Sequence, residues 1–232
     1  MLDNLVYGID NHVVYRSPAG WPGSRGWRNP MTSFPCTNHT VDSAPDGSRI
    51  FPAHTLDSAP DGSRRIMEAM ARQRGHVPAG VARLASSPQL LDGFLKASGL
   101  FENTSLDPVS REVVILTMAT RNRCHICVAM HTAKLAALDA SPELVAALRG
   151  QRPLPDERLA AIQRFTLDVV AAAGAVSPES LEAFLGQGYN ARNALEVVLG
   201  IGTYTMSTLA NRLTRAPLDE QFSEFAWEEP AA

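Results

Sequence analysis

A chain of 232 residues, 45% of them hydrophobic, carries enough apolar side chain to bury a substantial core. A formal net charge of -3 and scattered Lys and Arg exclude a phosphate-tracking surface, so no nucleic-acid partner is expected. No window approaches the roughly 18 apolar residues of a membrane span, and the opening MLDNLVYGIDNHVVYRS has no basic and apolar leader pattern, so the expectation is a cytoplasmic protein without a membrane partner.

Residues 1–50 are dense in Gly, Pro, Ser and Arg, as in SPAGWPGSRGWRNP, and lack helical or strand period; they are expected to form an irregular or disordered extension. A run DSAPDGSR occurs twice, at 42–49 and 57–64, and only the second copy leads into a helix. Two copies fall short of a solenoid. Cys36, just upstream of the first copy, is given no role. The domain proper is expected over 51–232.

From about residue 65 the pattern is helical throughout. RIMEAMARQRG and Pro78 to Leu84 come first, and then SPQLLDGFLKASG, with Ser87 as N-cap and Pro88 at the first helical position. Gly75 and Gly99 are expected stops. LDPVSREVVILTMAT follows, capped by Asp107 and apolar on nearly every face, which predicts a buried helix. A break at 121–123 precedes a helix from Cys124 to Leu138, and further helices are expected near 156–173, 178–186 and 191–213. No strand is expected after residue 60. GQGYNA at 186–191 fits G-x-G-x-x-A, but without a preceding strand it is no dinucleotide site.

Residues 112–127 and 196–211 are alike, sharing a glutamate, two valines and an apolar run. In the second stretch Thr208 stands for Cys124, Asn211 for Cys127, and Arg215 for His131. The thiols are therefore an addition to a helical unit rather than a packing requirement.

Two cysteines and two histidines crowd the eight residues CHICVAMH. Cys124 and Cys127 at i and i+3 share one face of the first helical turn, with a Cα separation of roughly 5–6 Å that a disulfide can span. The helix N-terminus, with Arg121 and Arg123 just upstream, should favour a Cys124 thiolate. His131 lies one turn beyond Cys127 on the same face, placed to exchange a proton with its sulfur. If the two helices form an antiparallel hairpin, Glu112 lies ~12 Å before the break and His131 ~11 Å after it, so the two are level. A carboxylate there would orient the imidazole and raise its basicity. These residues could be a redox dithiol, a zinc site of Cys124, Cys127, His131 and Glu112, or a structural pair in a buried helix. Against zinc, so apolar a hairpin needs no staple. His125 points to another face of the helix.

The pattern of Glu112, eleven residues, Cys124, two residues, Cys127, three residues and His131 resembles the signature of the alkylhydroperoxidase D-like (AhpD-like) branch of the carboxymuconolactone decarboxylase family. LDPVSREVVILTMATRNRCHICVAMHT is similar to that family's core hairpin, and the likeness extends over roughly residues 51–225. The resemblance implies an all-α fold with a duplicated helical hairpin unit, assembled as a trimer or a multiple of it. It implies reduction of organic hydroperoxides or hydrogen peroxide, with Cys127 as the peroxidatic thiol, Cys124 as its resolving partner, and Glu112 and His131 as the proton relay. The reductant would be a lipoyl-bearing or thioredoxin-like dithiol protein, and no metal, flavin or nicotinamide cofactor is expected. A decarboxylase-type lyase and a zinc-bound non-catalytic module are the alternatives. The residues themselves pull both ways on the attacking thiol: Cys124 has the helix terminus, Cys127 the histidine. Peroxide reduction needs a proton delivered to the leaving oxygen, which favours Cys127.

Overall fold

The computed structural model describes residues 50–229. The expected extension over 1–50, Cys36 included, lies outside the described residues apart from Ile50. Among the described residues every regular element is helical: α1 (Asp61–Arg74), α2 (Ala79–Leu84), α3 (Pro88–Glu102), α4 (Pro108–Arg121), α5 (His125–Ala137), α6 (Pro142–Arg149), α7 (Glu157–Ala171), α8 (Pro178–Gly186), α9 (Ala191–Leu213) and a 3-10 segment, Glu220–Phe225. The fold is all-α, and no helix among these residues is long and apolar enough to cross a membrane.

Local signals set most helix starts. Ser87, Asp107, Ser141, Asp156 and Ser177 each accept from a backbone N–H in the first turn, and Pro stands at the start of α3, α4, α6 and α8. Gly75 ends α1 in the left-handed region, as expected. Gly99 does not end α3, which continues to Glu102. The reason is Phe101: its fully buried ring gains roughly 1.5–3 kcal/mol in the last turn, more than the about 1 kcal/mol cost of an interior glycine. α6 is an element not expected from the sequence, although Ser141-Pro142-Glu143 repeats the start signal of Ser177-Pro178-Glu179.

α4 is the central element. Every residue from Glu112 to Thr120 is buried, surrounded by α5, α6, α7 and α9. Its apolar surface is consumed within the chain. Apolar surface remains exposed on α9, where Leu195, Val198, Met206, Leu209 and Leu213 form a stripe at helical spacing. The opposite face of α9 approaches α3 and α4 so closely that a Cβ on Gly200 would lie 2.7 Å from the Phe101 ring.

The turn between α4 and α5 is tight: Asn122 caps α4, Arg123 adopts φ 55, and Cys124 is the N-cap of α5. Its counterpart, Met206-Ser207, makes no turn, and α9 runs through as one helix of 23 residues. GQGYNA is the link between α8 and α9, with Gly188 at φ 83 and Asn190 in a capping box with Asn193.

Candidate active site

The hairpin brings all four predicted site residues together. His131 Nδ1 donates to Glu112 Oε2 at 2.7 Å, and the Cys124 thiol donates to Cys127 Sγ at 3.1 Å. Glu112 is fully buried in α4, where no water could solvate its charge. Its other oxygen, Oε1, lies 2.9 Å from the Lys134 ammonium, without the alignment of a full hydrogen bond. Lys134 also bonds Glu102, so α3, α4 and α5 are linked through one cation. Burial opposes the charge on Glu112, but His131 and Lys134 outweigh it and keep the carboxyl below its ordinary range. Burial likewise opposes an imidazolium, and Glu112 outweighs that, raising His131 above its usual value.

Glu196, the counterpart of Glu112 in the second stretch, serves a different purpose. It accepts from Ser105 N at 2.8 Å and Ser105 Oγ at 2.7 Å, tying down the link between α3 and α4. Both glutamates are buried, but only Glu112 faces titratable partners beside thiols.

The sulfurs are ordered oppositely to the expectation from the helix terminus. The Cys124 thiol donates to Cys127, and that bond with burial drives Cys124 upward. The same bond lowers Cys127 to about 6, with help from the His131 charge and from donors Asn211 and Ser207, against the burial that opposes it. The arginines contribute nothing to Cys124: Arg123 turns away to Glu229 at 2.8 Å, and Arg121 reaches Asn122 on the surface. Cys124 is also closed off, at 1% exposure.

A cavity of about 460 Å³ opens onto Cys127 and His131 but not onto Cys124. Val81, Leu84, Leu91 and Phe94 supply apolar wall, and Phe222 of the C-terminal segment closes part of it. Tyr204 stands edge-on to the His131 ring at 5.3 Å. His125 is exposed on the far side and takes no part. Among the described residues no three His, Cys, Asp or Glu side chains converge as a metal cluster would.

Lys134, Tyr204, Ser207 and Asn211 are site residues that the motif does not contain. The likeness between 112–127 and 196–211 held the signal for Asn211, because the residue aligned with Cys127 is the one that touches it: Asn211 Nδ2 donates to Cys127 Sγ at 3.5 Å.

Residues 88–177 match the model of the Carboxymuconolactone decarboxylase family. Over that segment, 90 of its 232 residues, the chain is similar to that family. Its fold is that of the AhpD core. The chain is similar to a crystal structure described as an alkylhydroperoxidase AhpD core, an uncharacterized peroxidase-related protein from Ralstonia eutropha JMP134, at 21% identity and TM-score 0.65, covering 74% of this chain and 93% of that one. It is similar also to an uncharacterized peroxidase-related protein from Silicibacter sp. TM1040, at 20% identity and TM-score 0.62, covering 74% of this chain and 91% of that one. No curated protein matches the chain significantly. The family segment spans the thiol hairpin and ends before α9, so Tyr204, Ser207 and Asn211 lie beyond it.

Proposed function

We propose that the protein is a thiol peroxidase that reduces organic hydroperoxides or hydrogen peroxide through a Cys124–Cys127 dithiol and disulfide cycle. The observation that carries this reading is that Cys127 faces the cavity, receives the Cys124 thiol, and lies next to the His131–Glu112 pair. A lowered thiolate beside a protonated imidazole is the pairing that peroxide cleavage needs.

The Cys127 thiolate attacks the terminal oxygen of the hydroperoxide; the S–O bond forms as the O–O bond breaks, and the sulfur gives two electrons to the peroxide. The departing oxygen takes a proton from His131, which Glu112 orients. Cys127 is left as a sulfenic acid. Cys124, already 3.1 Å away, then displaces water to form the disulfide, which a dithiol reductant of the lipoyl-bearing or thioredoxin-like kind returns to thiols. The chain's own residues supply every protein group up to the disulfide, and the reductant supplies the last two electrons.

We place the protein in a homo-oligomer, trimer-based, on the exposed stripe of α9. The function is tested by peroxide consumption with several dithiol reductants, before and after thiol alkylation. Activity that survives alkylation would refute the dithiol cycle and point to a decarboxylase-type lyase. Metal found by native mass spectrometry, and lost to chelator together with the fold, would point to a zinc module.

A further inference from the structure

The C-terminal half of α9 turns four buried polar side chains toward the dithiol, Tyr204, Ser207, Thr208 and Asn211, at spacings of three and four that keep them on one face. Thr208 has a structural role: Oγ1 donates to Tyr204 O at 2.6 Å and accepts from Asn122 Nδ2 at 2.9 Å, fixing the turn before Cys124. Ser207 Oγ lies 3.8 Å from Cys127 Sγ, at the limit of a contact to sulfur. Asn211 is different. Its Nδ2 donates to Cys127 Sγ at 3.5 Å, while its Oδ1 is fully buried with no hydrogen-bond partner.

A buried amide oxygen without a donor is costly, and such an atom calls for an explanation. Its surroundings supply one. A Cβ on residue 80 would lie 2.9 Å from Oδ1, so α2 packs directly against this oxygen and only a glycine fits there without pushing it aside. Gly80, Asn211, Cys127 and His131 line the same cavity. The orphan acceptor therefore belongs to a residue beside the sulfur, in the wall of the cavity that the substrate of that sulfur must enter.

We infer that Asn211 is a further catalytic residue, its Nδ2 holding the Cys127 sulfur and its Oδ1 accepting the O–H of the incoming hydroperoxide. This rests on the thiol-peroxidase reading. In the displacement the terminal oxygen keeps its hydrogen as it passes to sulfur, so an acceptor for that O–H selects which oxygen faces the thiolate. It then holds the S–O–H product while Cys124 attacks. A carboxamide offers a donor to the sulfur and an acceptor to the peroxide from one planar, uncharged group. An aspartate would repel the thiolate, and a leucine would serve neither.

The test uses the full chain carrying Cys124→Ser, which stops the cycle at the sulfenic acid, with Asn211→Leu or Gly80→Ala added. Cumene hydroperoxide probes the peroxide step, and iodoacetamide, which needs a thiolate but no O–H acceptor, probes the sulfur alone. Asn211→Leu is expected to move the midpoint of the alkylation–pH curve upward by about one pH unit. At pH above that midpoint alkylation regains the parent rate, while oxidation by cumene hydroperoxide stays at least about tenfold slow. Gly80→Ala, which pushes Oδ1 aside and leaves the residue in place, is expected to slow oxidation as well. A folded Asn211→Leu protein with the parent's plateau oxidation rate, or with an unmoved alkylation midpoint, overturns the proposal. If Asn211→Leu does not fold, a folded Gly80→Ala protein that oxidises at the parent rate overturns it. A parent whose Cys127 reacts with peroxide no faster than free cysteine overturns the peroxidase reading instead, and a midpoint shift in Asn211→Leu then still shows that the amide holds the sulfur.

Discussion

Glu112→Gln keeps the shape of a fully buried side chain and removes its charge. In the wild type His131 Nδ1 donates to Oε2 at 2.7 Å and the Lys134 ammonium lies 2.9 Å from Oε1. Glutamine has one oxygen for these two neighbours, so its amide must face one of them; Lys134 retains Glu102, and the imidazole can keep the oxygen. What the imidazole loses is the charge. A hydrogen bond to a charged group contributes roughly 1.5–3 kcal/mol and one between neutral groups roughly 0.5–1.5 kcal/mol, a difference of about 1–1.5 kcal/mol. If His131 delivers the proton to the leaving oxygen, that difference falls on the transition state and slows Cys127 oxidation about tenfold. The pH dependence of stability provides an independent check. Burial opposes both charges, yet Glu112 stays below its ordinary range because His131 and Lys134 face it, and His131 lies above its own because of Glu112. The lowered carboxyl contributes stability above its unfolded value, near 4.3, that is lost as pH falls through the folded value. The raised histidine contributes stability below its unfolded value, near 6.5, that is lost as pH rises through the folded one. The gap in Tm between wild type and Glu112→Gln should therefore be widest between about pH 4.5 and 6.5 and narrow on the acid side. On the alkaline side it narrows only in part, because Lys134 still pairs with Glu112. Single-turnover sulfenic-acid trapping measures the rate, and thermal melts from acid to alkaline pH measure the gap. An unchanged oxidation rate together with a flat gap would refute the coupling of Glu112 to His131.

Cys127→Ser should abolish sulfenic-acid labelling after one peroxide pulse, whereas Cys124→Ser should label on Cys127 without turning over; peptide mass mapping that finds the label on Cys124 reverses the assignment. His131→Ala should slow the first oxidation more than Glu112→Ala, as read by the same trapping. Gly200→Ala forces a Cβ to within 2.7 Å of the Phe101 ring and should cost about 1–3 kcal/mol in urea unfolding, so an unshifted midpoint would show that the contact between α3 and α9 yields freely. Light scattering should give a mass above the 25.0 kDa of one chain, and Leu209→Glu in the exposed stripe should lower it; a wild-type monomer at micromolar concentration removes the oligomer proposal. Arg149 donates to Phe225 O at 2.9 Å and Ala226 O at 2.7 Å, so Arg149→Ala should speed hydrogen exchange over residues 220–229.

Helix placement was written locally. Ser87, Asp107 and Ser177, each followed by proline, mark where α3, α4 and α8 begin, because an N-cap acts on backbone groups within three residues of itself. The pairing of Glu112 with His131 was also within reach of the sequence, since a rise of ~1.5 Å per residue on either side of one turn sets them level. Gly99 lay beyond local reasoning, because a core pocket for Phe101 outweighs a helix-stopping residue and no nearby residue announces it. The order of the two thiols lay further beyond it. At the helix start Cys124 has the local advantage, yet its own thiol donates to Cys127, the His131 charge adds to that bond, and further help comes from far along the chain: Asn211 and Ser207, 84 and 80 residues from Cys127, reach its sulfur, and Glu229 draws Arg123 away from Cys124. A thiol's charge state depends on the donors and the dielectric around the sulfur atom. Part of that shell is supplied by packing α9 against α5, and no spacing along the chain encodes which of its side chains arrive there.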